Sequence, residues 1–445
     1  PALCDLAIAR TQVLLGSDEE CLLYFSLFPC HHDVRRNSLI RRWLAEGLVV
    51  HAKQKVPEYV YRSDQEMAAK HLDILIAHNI IRPIKRSNNG KVKRCQPPGT
   101  VFSHICGRAI IENFNALLCG PNQLGERSTQ EQEESVPRLS LHPYTPAANG
   151  GINVPNAPGL RTMAVFPTVG AQYGAILRFK KHRLLRVLDL KQCAHVNQYH
   201  VISICDLLLL KYLGLGNSIG RVPRKIRRLQ RLETLDMRTT DAVTVYLELL
   251  QLPKLKHLLG KFRLSTDDCP DHKPGKIKKV LRLKGEFSKL KDFMMDNNSV
   301  LETLAGFEIG NGLGFSQLLS YMQNLTKVKI WCDSTADEST DLTDLKEGIK
   351  EFTSNATHMP IVDYSLSIDF TGPSQSLLDD LEDPARLTSL KLSGNLTMSL
   401  SFLAKMGSLQ DLCLSRTNLG MDVIQAGLSN LTCPLKFLKL VEDNL

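Results

Sequence analysis

LRVLDLKQC at residues 185–193, LKYLGLGNS at 210–218 and LETLDMRTT at 232–240 share one spacing of apolar residues, and that spacing decides the fold. It returns as LTSLKLSGN at 387–395, LQDLCLSRT at 409–417 and LKFLKLVED at 435–443. Leu185, Leu188 and Leu190 set the pattern; Leu210/Leu213/Leu215, Leu232/Leu235/Met237, Leu387/Leu390/Leu392, Leu409/Leu412/Leu414 and Leu435/Leu438/Leu440 repeat it. The last two apolar residues of each block are separated by one position, a strand period rather than the 3.6 of a helix. Adjacent blocks start roughly 22 to 26 residues apart, so each unit supplies one short strand and cannot bury its own apolar side without a neighbour.

That period is the one of a leucine-rich repeat. A curved solenoid with a parallel sheet on its concave face is expected, an α/β architecture whose surface binds macromolecules. Three residues beyond each block stand Cys193, Ser218, Thr240, Asn395, Thr417 and Asp443, all short and able to bond backbone groups where the chain leaves the sheet. Weaker blocks run from Leu139 to Leu141, Leu160 to Val165, Leu255 to Leu258, Ile277 to Leu283, Leu301 to Ile309 and Val328 to Ile330. Residues 331–360 break the rhythm and read as an insertion or an irregular repeat. Ile219, Val222, Pro223, Ile226 and Leu229 read as the buried outer half of one repeat, bent at the proline.

The 445 residues carry a net charge of +9, and its distribution says more than its size. Arg178, Lys180, Lys181, Arg183 and Arg186, then Arg224, Lys225, Arg227, Arg228 and Arg231, then Lys273, Lys276, Lys278, Lys279, Arg282 and Lys284 crowd the earlier repeats. Asp333, Asp337, Glu338, Asp341, Asp344, Glu347, Asp379, Asp380, Glu382 and Asp383 reverse the sign later. Sparse aromatic residues disfavour a nucleic-acid groove, which leaves a solvated basic face or docking against an acidic protein surface. No apolar run reaches the roughly 18 residues of a bilayer span, and the first residues lack a secretory pattern, so a cytoplasmic chain is expected, with nuclear or membrane-peripheral placement open. The twelve cysteines show no CxxC spacing. Cys30, His31 and His32 stand too close together to surround a metal unaided. No constellation of nucleophile, base and acid points to an enzyme.

Residues 1–118 have a different texture. Leu22, Leu23, Phe25 and Leu27 suggest a helix ended by Pro29. Leu39, Ile40, Trp43, Leu44 and Leu48 form an apolar stripe with Arg35, Arg36, Arg41, Arg42 and Glu46 outside it, and Gly47 near the helix end. Ala68, Leu72, Leu75, Ile76 and Ile80 give a third helix. Pro83 and Ile84, the turn from Asn88 to Arg94, and Val101 with Phe102 read as strand, wing and strand, completing a winged-helix module. Residues 119–137, rich in Gln and Glu, form a linker, and 138–445 hold the repeats.

CLLYFSLFP at 21–29 and LIRRWLAEGLV at 39–49 resemble the winged-helix segment of plant nucleotide-binding leucine-rich-repeat disease-resistance proteins of the coiled-coil class. The resemblance implies an immune receptor: an upstream nucleotide-binding core, NB-ARC, exchanges ADP for ATP, while winged helix and repeats hold it closed until a pathogen effector or a guarded host protein is sensed. No GxxxxGK[ST] phosphate loop occurs in the sequence, so this chain is expected to bind no nucleotide alone and to be a fragment or truncated product. Its first residue is not Met and its last falls inside a repeat. The family's Met-His-Asp signature aligns with Ser103, His104 and Ile105. The resemblance implies that His104 reaches the ADP phosphate, and that Ile105 removes a polar contact of the resting state. A degenerate receptor, or one that works with a paired receptor, follows from that replacement.

The same resemblance places the basic early repeats, with Arg224, Lys225, Arg227 and Arg228, against the intramolecular NB-ARC core. Strand alternation turns Asp189, Lys191, Asp236, Arg238, Lys391, Ser393, Ser415 and Lys439 outward on the concave face as candidates for partner contact. The competing reading from another class is a substrate adaptor of a ubiquitin ligase.

Overall fold

A computed structural model of the chain describes residues 19–49, 63–87, 89–118, 137–142, 157–166, 177–193, 196–216, 219–265, 288–296, 299–308, 318–319, 321–332, 341–354, 363–370, 384, 386–396 and 399–441. Ser218, Asp443, the weak block at 277–283, the cations from Lys273 to Lys284, the acids at 333–338 and 379–383 and nearly all of the linker lie outside the described residues. Two compact units form, residues 1–219 with 231–234 and residues 220–230 with 235–445.

The first unit begins with helix α1 (Glu19–Leu23), which tightens into a 3-10 turn over Tyr24–Leu27. Strand β1 (Val34–Arg35) leads into helix α2 (Arg36–Glu46), which Gly47 ends at φ 85° with its amide bonded to the Trp43 and Leu44 carbonyls. Only glycine takes that left-handed conformation without a Cβ penalty. Helix α3 (Asp64–Ala77) starts at Ser63, whose hydroxyl accepts the Glu66 amide at 3.2 Å. Strands β2 (Arg82–Arg86) and β3 (Val92–Gln96) form the antiparallel wing, with β1 on the other side of β3.

Val101 and Phe102, expected in the wing's second strand, lie instead in helix α4 (Gly99–Ile111), and the returning strand is the segment read as turn. Pro97 and Pro98 explain the shift. Neither can donate a ladder hydrogen bond, yet a proline is tolerated at a helix start, where the Pro98 carbonyl accepts the Phe102 amide at 2.8 Å. Trp43, Tyr24, Phe25, Leu39, Leu72, Leu75 and Ile105 close the apolar core.

Parallel strands β4 (Ala116–Leu118), β5 (Arg138–Leu141), β6 (Thr162–Val165), β7 (Val187–Asp189) and β8 (Tyr212–Gly214) follow in the same unit. Leu139 pairs with Met163, Met163 with Leu188 and Leu188 with Leu213, so the repeat leucines stack one over the next. The ladder starts at Ala116, pairing Leu139, and therefore inside the stretch assigned by sequence to the helical module.

The second unit carries β9 (Thr234–Met237), β10 (Val243–Tyr246), β11 (His257–Ser265), β12 (Thr303–Glu308), β13 (Lys327–Cys332), β14 (Tyr364–Phe370), β15 (Leu387–Ser393), β16 (Asp411–Ser415) and β17 (Phe437–Val441), with β10 to β17 each pairing parallel to the next. Val222, Ile226 and Leu229 are buried as read, around a 3-10 turn at Arg224–Arg228, while Pro223 is half-buried; Ile219, in the first unit, is buried too. Thr240 ties its hydroxyl to the Met237 carbonyl at 2.6 Å, the local bond expected after a block. Asn395 stays exposed. Strands β10 and β14 were not legible, and the broken stretch at 331–360 contains the helix Asp341–Ser354. Register slips in β11 and β12 occur at Gly260 and Gly306, where a Cβ on Gly306 would strike the Gly260 carbonyl. Among the described residues no helix is long and apolar enough to cross a membrane.

Candidate functional site

Helix α2 carries two buried stripes. Leu39, Ile40 and Trp43 face the module's own core, and Ser38, Arg42 and Glu46, four residues apart, are buried as well. The sequence placed Arg42 and Glu46 in solvent. Instead this polar stripe lies on the strands of the first repeats, because residues at i and i+4 share a helix face and this face is covered.

Arg42 forms an ion pair with Asp189, both side chains almost fully buried, and its guanidinium lies 5.0 Å from the Phe28 ring centre and 5.3 Å from that of Tyr212. Ser38 and Tyr212 share a hydroxyl hydrogen bond of 2.8 Å, and the Lys191 ammonium donates to both, at 3.3 and 3.0 Å. Four residues along, Glu46 pairs with Arg138 and accepts the Thr162 hydroxyl at 2.6 Å, while Arg186 donates to its carbonyl at 2.9 Å. Arg138 stacks over Phe114 at 3.8 Å. Charges this deep are tolerated only when paired, so each pair also fixes the register of helix on strands.

Burial shifts the ionisable groups of this contact. Desolvation pushes the Glu46 carboxyl up against the pull of Arg138 and Thr162, and raises the Tyr24 hydroxyl well above its ordinary range. His32 is stacked on Phe28 at 5.7 Å and edge-on to Phe166 at 5.1 Å; burial first, then Arg42 and Lys191, lower its pKa to about 4. His142, edge-on to the same Phe166 ring at 5.6 Å, is lowered by burial while bonding the Leu27 carbonyl at 3.2 Å. The Ser140 hydroxyl donates to that carbonyl too, at 2.5 Å.

Several expected partner contacts are therefore internal. Asp189 and Lys191 do point away from the repeat core, but α2 covers them. Asp236 is fully buried because Arg238 folds back on it in a fork, at 2.9 and 2.7 Å. Ser393 and Ser415 share the strand face of Lys391 but are buried. Arg224 is taken by Glu248 and lies 4.7 Å from the Tyr246 ring centre; Lys225 is half-buried, whereas Arg227 and Arg228 are exposed. Lys391 and Lys439 are exposed as expected. His104 is half-buried in α4, with Ser103 bonded back to the Gly99 carbonyl at 3.1 Å and Ile105 in the apolar core. Arg138, Thr162 and Tyr212 escaped sequence reading altogether, since nothing local marks a strand residue as covered by a distant helix.

Known proteins share both parts. The family described as the winged-helix domain of disease resistance proteins matches residues 27–97, and the leucine-rich repeat region family matches residues 159–441. Disease resistance protein RGA4 of Oryza sativa subsp. japonica is 40% identical over 425 residues, covering 96% of this chain and 38% of that protein. Disease resistance protein PIK6-NP of the same organism is 28% identical over 91% of this chain and 38% of its own length. Disease resistance protein Pik-2, also from rice, is 31% identical over 54% of this chain and 22% of its own length. The chain thus spans well under half the length of these relatives.

Proposed function

This chain belongs to the plant disease-resistance proteins, joining their winged helix to a leucine-rich repeat region, and on that premise we propose that it is the sensing and restraining part of an immune receptor. The observation that carries the reading is the pair of buried ion pairs, Arg42 with Asp189 and Glu46 with Arg138, which fasten the winged helix to the first repeats. A winged helix held in this way moves together with those repeats. A pathogen effector, or a guarded host protein, gripped by the repeats then acts on the winged helix without further contacts. It shifts the switch by its difference in affinity for the resting and active states.

In the full-length receptor the winged helix adjoins an NB-ARC core that holds ADP at rest and ATP when active, and His104 donates to a nucleotide phosphate. Its half-exposed imidazole suits that bond, since a neutral ring donates to phosphate without a large fixed charge. The chain itself performs no catalysis, works in the cytoplasm, and with Ile105 in place of the acid relies on a paired receptor for restraint. Exposed Arg227 and Arg228 face the core.

The test is Arg42→Asp in a full-length receptor containing this segment, read as defence output in leaf tissue. The expected result is an altered resting output, restored when Asp189→Arg returns the pair with reversed sign. Unchanged output from a stably accumulating Arg42→Asp receptor overturns the restraint.

A further inference from the structure

The wing of the first unit carries a charge that sensing and restraint leave unused. Residues 82–96 hold Arg82, Lys85, Arg86, Lys91, Lys93 and Arg94 and no carboxylate. Strand pairing sets three cations in one row: Arg35 on β1 lies opposite Arg94 on β3, and Arg94 lies opposite Lys85 on β2. Like charges directly opposite one another destabilise a sheet. Asp33, 3.6 Å from Arg94, offsets part of that repulsion. Arg82 and Lys85 make no ion pair among the described residues, and all five side chains of the edge strand β2 lie in water. Consecutive strand residues point to opposite faces, so Lys85 and Arg86 put a cation on each face of the ribbon. Its tip is tied by hydrogen bonds from the Ser87 amide to the Lys91 carbonyl at 2.8 Å, from the Gly90 amide to the Ser87 carbonyl at 3.1 Å and from the Arg86 guanidinium to the Gly90 carbonyl at 2.9 Å. The wing is thus a stiff two-stranded ribbon, positive on both faces.

We propose that this ribbon binds double-stranded DNA through its phosphates, seated in the major groove between the two sugar-phosphate walls. Strands about 4.8 Å apart, with side chains to either side, fit a groove about 12 Å wide. Two facing walls of phosphate answer cations on both faces at once. A bilayer or a flat acidic protein surface meets one face and leaves the charges of the other without a partner. Ile84 is the wing's one large exposed apolar side chain among the described residues, too little apolar surface to hold a membrane interface. Residues 82–96 contain no aromatic ring, so the bases of a single strand find nothing to stack on. Phosphate contacts need no such ring, and a duplex is therefore compatible with the scarcity of aromatic residues that disfavours a stacking groove. The major groove of duplex RNA is too deep and narrow to admit the ribbon. Since phosphates carry no sequence information, binding is independent of base sequence.

The experiment titrates a fluorescein-labelled DNA duplex of about 20 base pairs with the chain and reads anisotropy over a series of salt concentrations. Duplex RNA of the same length, polyglutamate of equal charge and vesicles containing anionic lipid serve as comparators. The expected result is preference for the DNA duplex, with the logarithm of the association constant falling against the logarithm of salt with a slope of about −4. Arg82→Gln with Lys85→Gln should weaken binding about tenfold at low salt and make that slope shallower by about two. Because Lys85 faces Arg94, this variant should be no less stable to denaturant than the parent, which separates a lost contact from a lost fold. Lys254→Gln with Lys289→Gln, at exposed lysines of the second unit, should leave affinity and slope unchanged. An unaltered slope in the wing variant, an equal loss in the second-unit variant, or tighter binding of duplex RNA, polyglutamate or the vesicles each overturns the assignment. DNA binding by the wing stands apart from the receptor reading, which the Arg42→Asp receptor tests by itself.

Discussion

The early repeats and the late ones obey the same leucine spacing and use what lies between the leucines in opposite ways. Around β7 and β8 the residues turned away from the repeat core, Asp189, Lys191 and Tyr212, are consumed by helix α2. Around β15 and β17 the corresponding lysines stay in water. The periodic residues thus build the scaffold in both regions, and the non-periodic ones decide whether a strand face is an internal joint or an available surface. A pattern of period two says which side a residue takes, never what covers that side.

The sharpest way to break this contrast is to cut the joint. Arg42→Ala leaves Asp189 buried without its main partner, and stability should fall by about 3–5 kcal/mol, measured by chemical denaturation of the chain. The paired replacement Arg42→Met with Asp189→Leu should recover only part of that loss, since Lys191, 3.6 Å from Asp189, then loses its carboxylate partner. A cost below about 1 kcal/mol for Arg42→Ala would mean that Asp189 is solvated and the joint is not closed.

The scaffold should show no such contrast. Leu188→Ala in the first unit and Leu412→Ala in the second remove fully buried leucines at the same point of the repeat, and each should cost about 3 kcal/mol, with differences set by how far the site relaxes. A clearly smaller loss in the second unit, read from a separate denaturation transition, would show that its repeats are packed more loosely than their leucines suggest.

How much of this was legible follows the same division. Leu185, Leu213, Leu390 and Leu414 announced their strands because periodicity is written locally, and Gly47 announced the end of α2 because only one residue type suits its backbone. Strand β14 was lost because Tyr364–Phe370 carries one leucine, Leu366, with Ile368 and Phe370 after it, and so lacks the full leucine spacing of the other blocks. The wing's second strand was lost because its burial is slight, with Cys95 alone fully inside. Of the site, Lys391 and Lys439 were readable as outward residues. Arg42 and Glu46 were not, since charges at i and i+4 on an exposed helix and on a covered one look identical until the covering strands are in place.

Acid should strain the joint more than the rest. The folded chain keeps His32 neutral, with a pKa of about 4, so its contribution is complete above its ordinary value near 6.5 and is lost as pH falls from there towards 4. Arg42, Lys191 and Arg94 oppose its charge and Asp33 favours it, while burial lowers His142 in the same sense. Glu46, raised by burial, works the other way, so the effect is best read by difference. Between pH 7 and 5 the parent chain should lose about 1–2 kcal/mol more than His32→Phe, a value discounted for the partial exposure of the ring. Equal pH dependence in the two would place His32 outside the covered region.

The smallest effect expected is the most telling about the open face. Lys391→Ala and Arg227→Ala touch no buried partner, so each should change stability by less than about 0.5 kcal/mol in the same denaturation measurement. Side chains that cost so little to remove are not held in place by folding, unlike Arg42, and that is the physical mark of a surface left available for contact with another molecule. A loss of more than about 1 kcal/mol at Lys391 would mean that its ammonium is already engaged within the chain, and the late strand face would then be a second internal joint like the first.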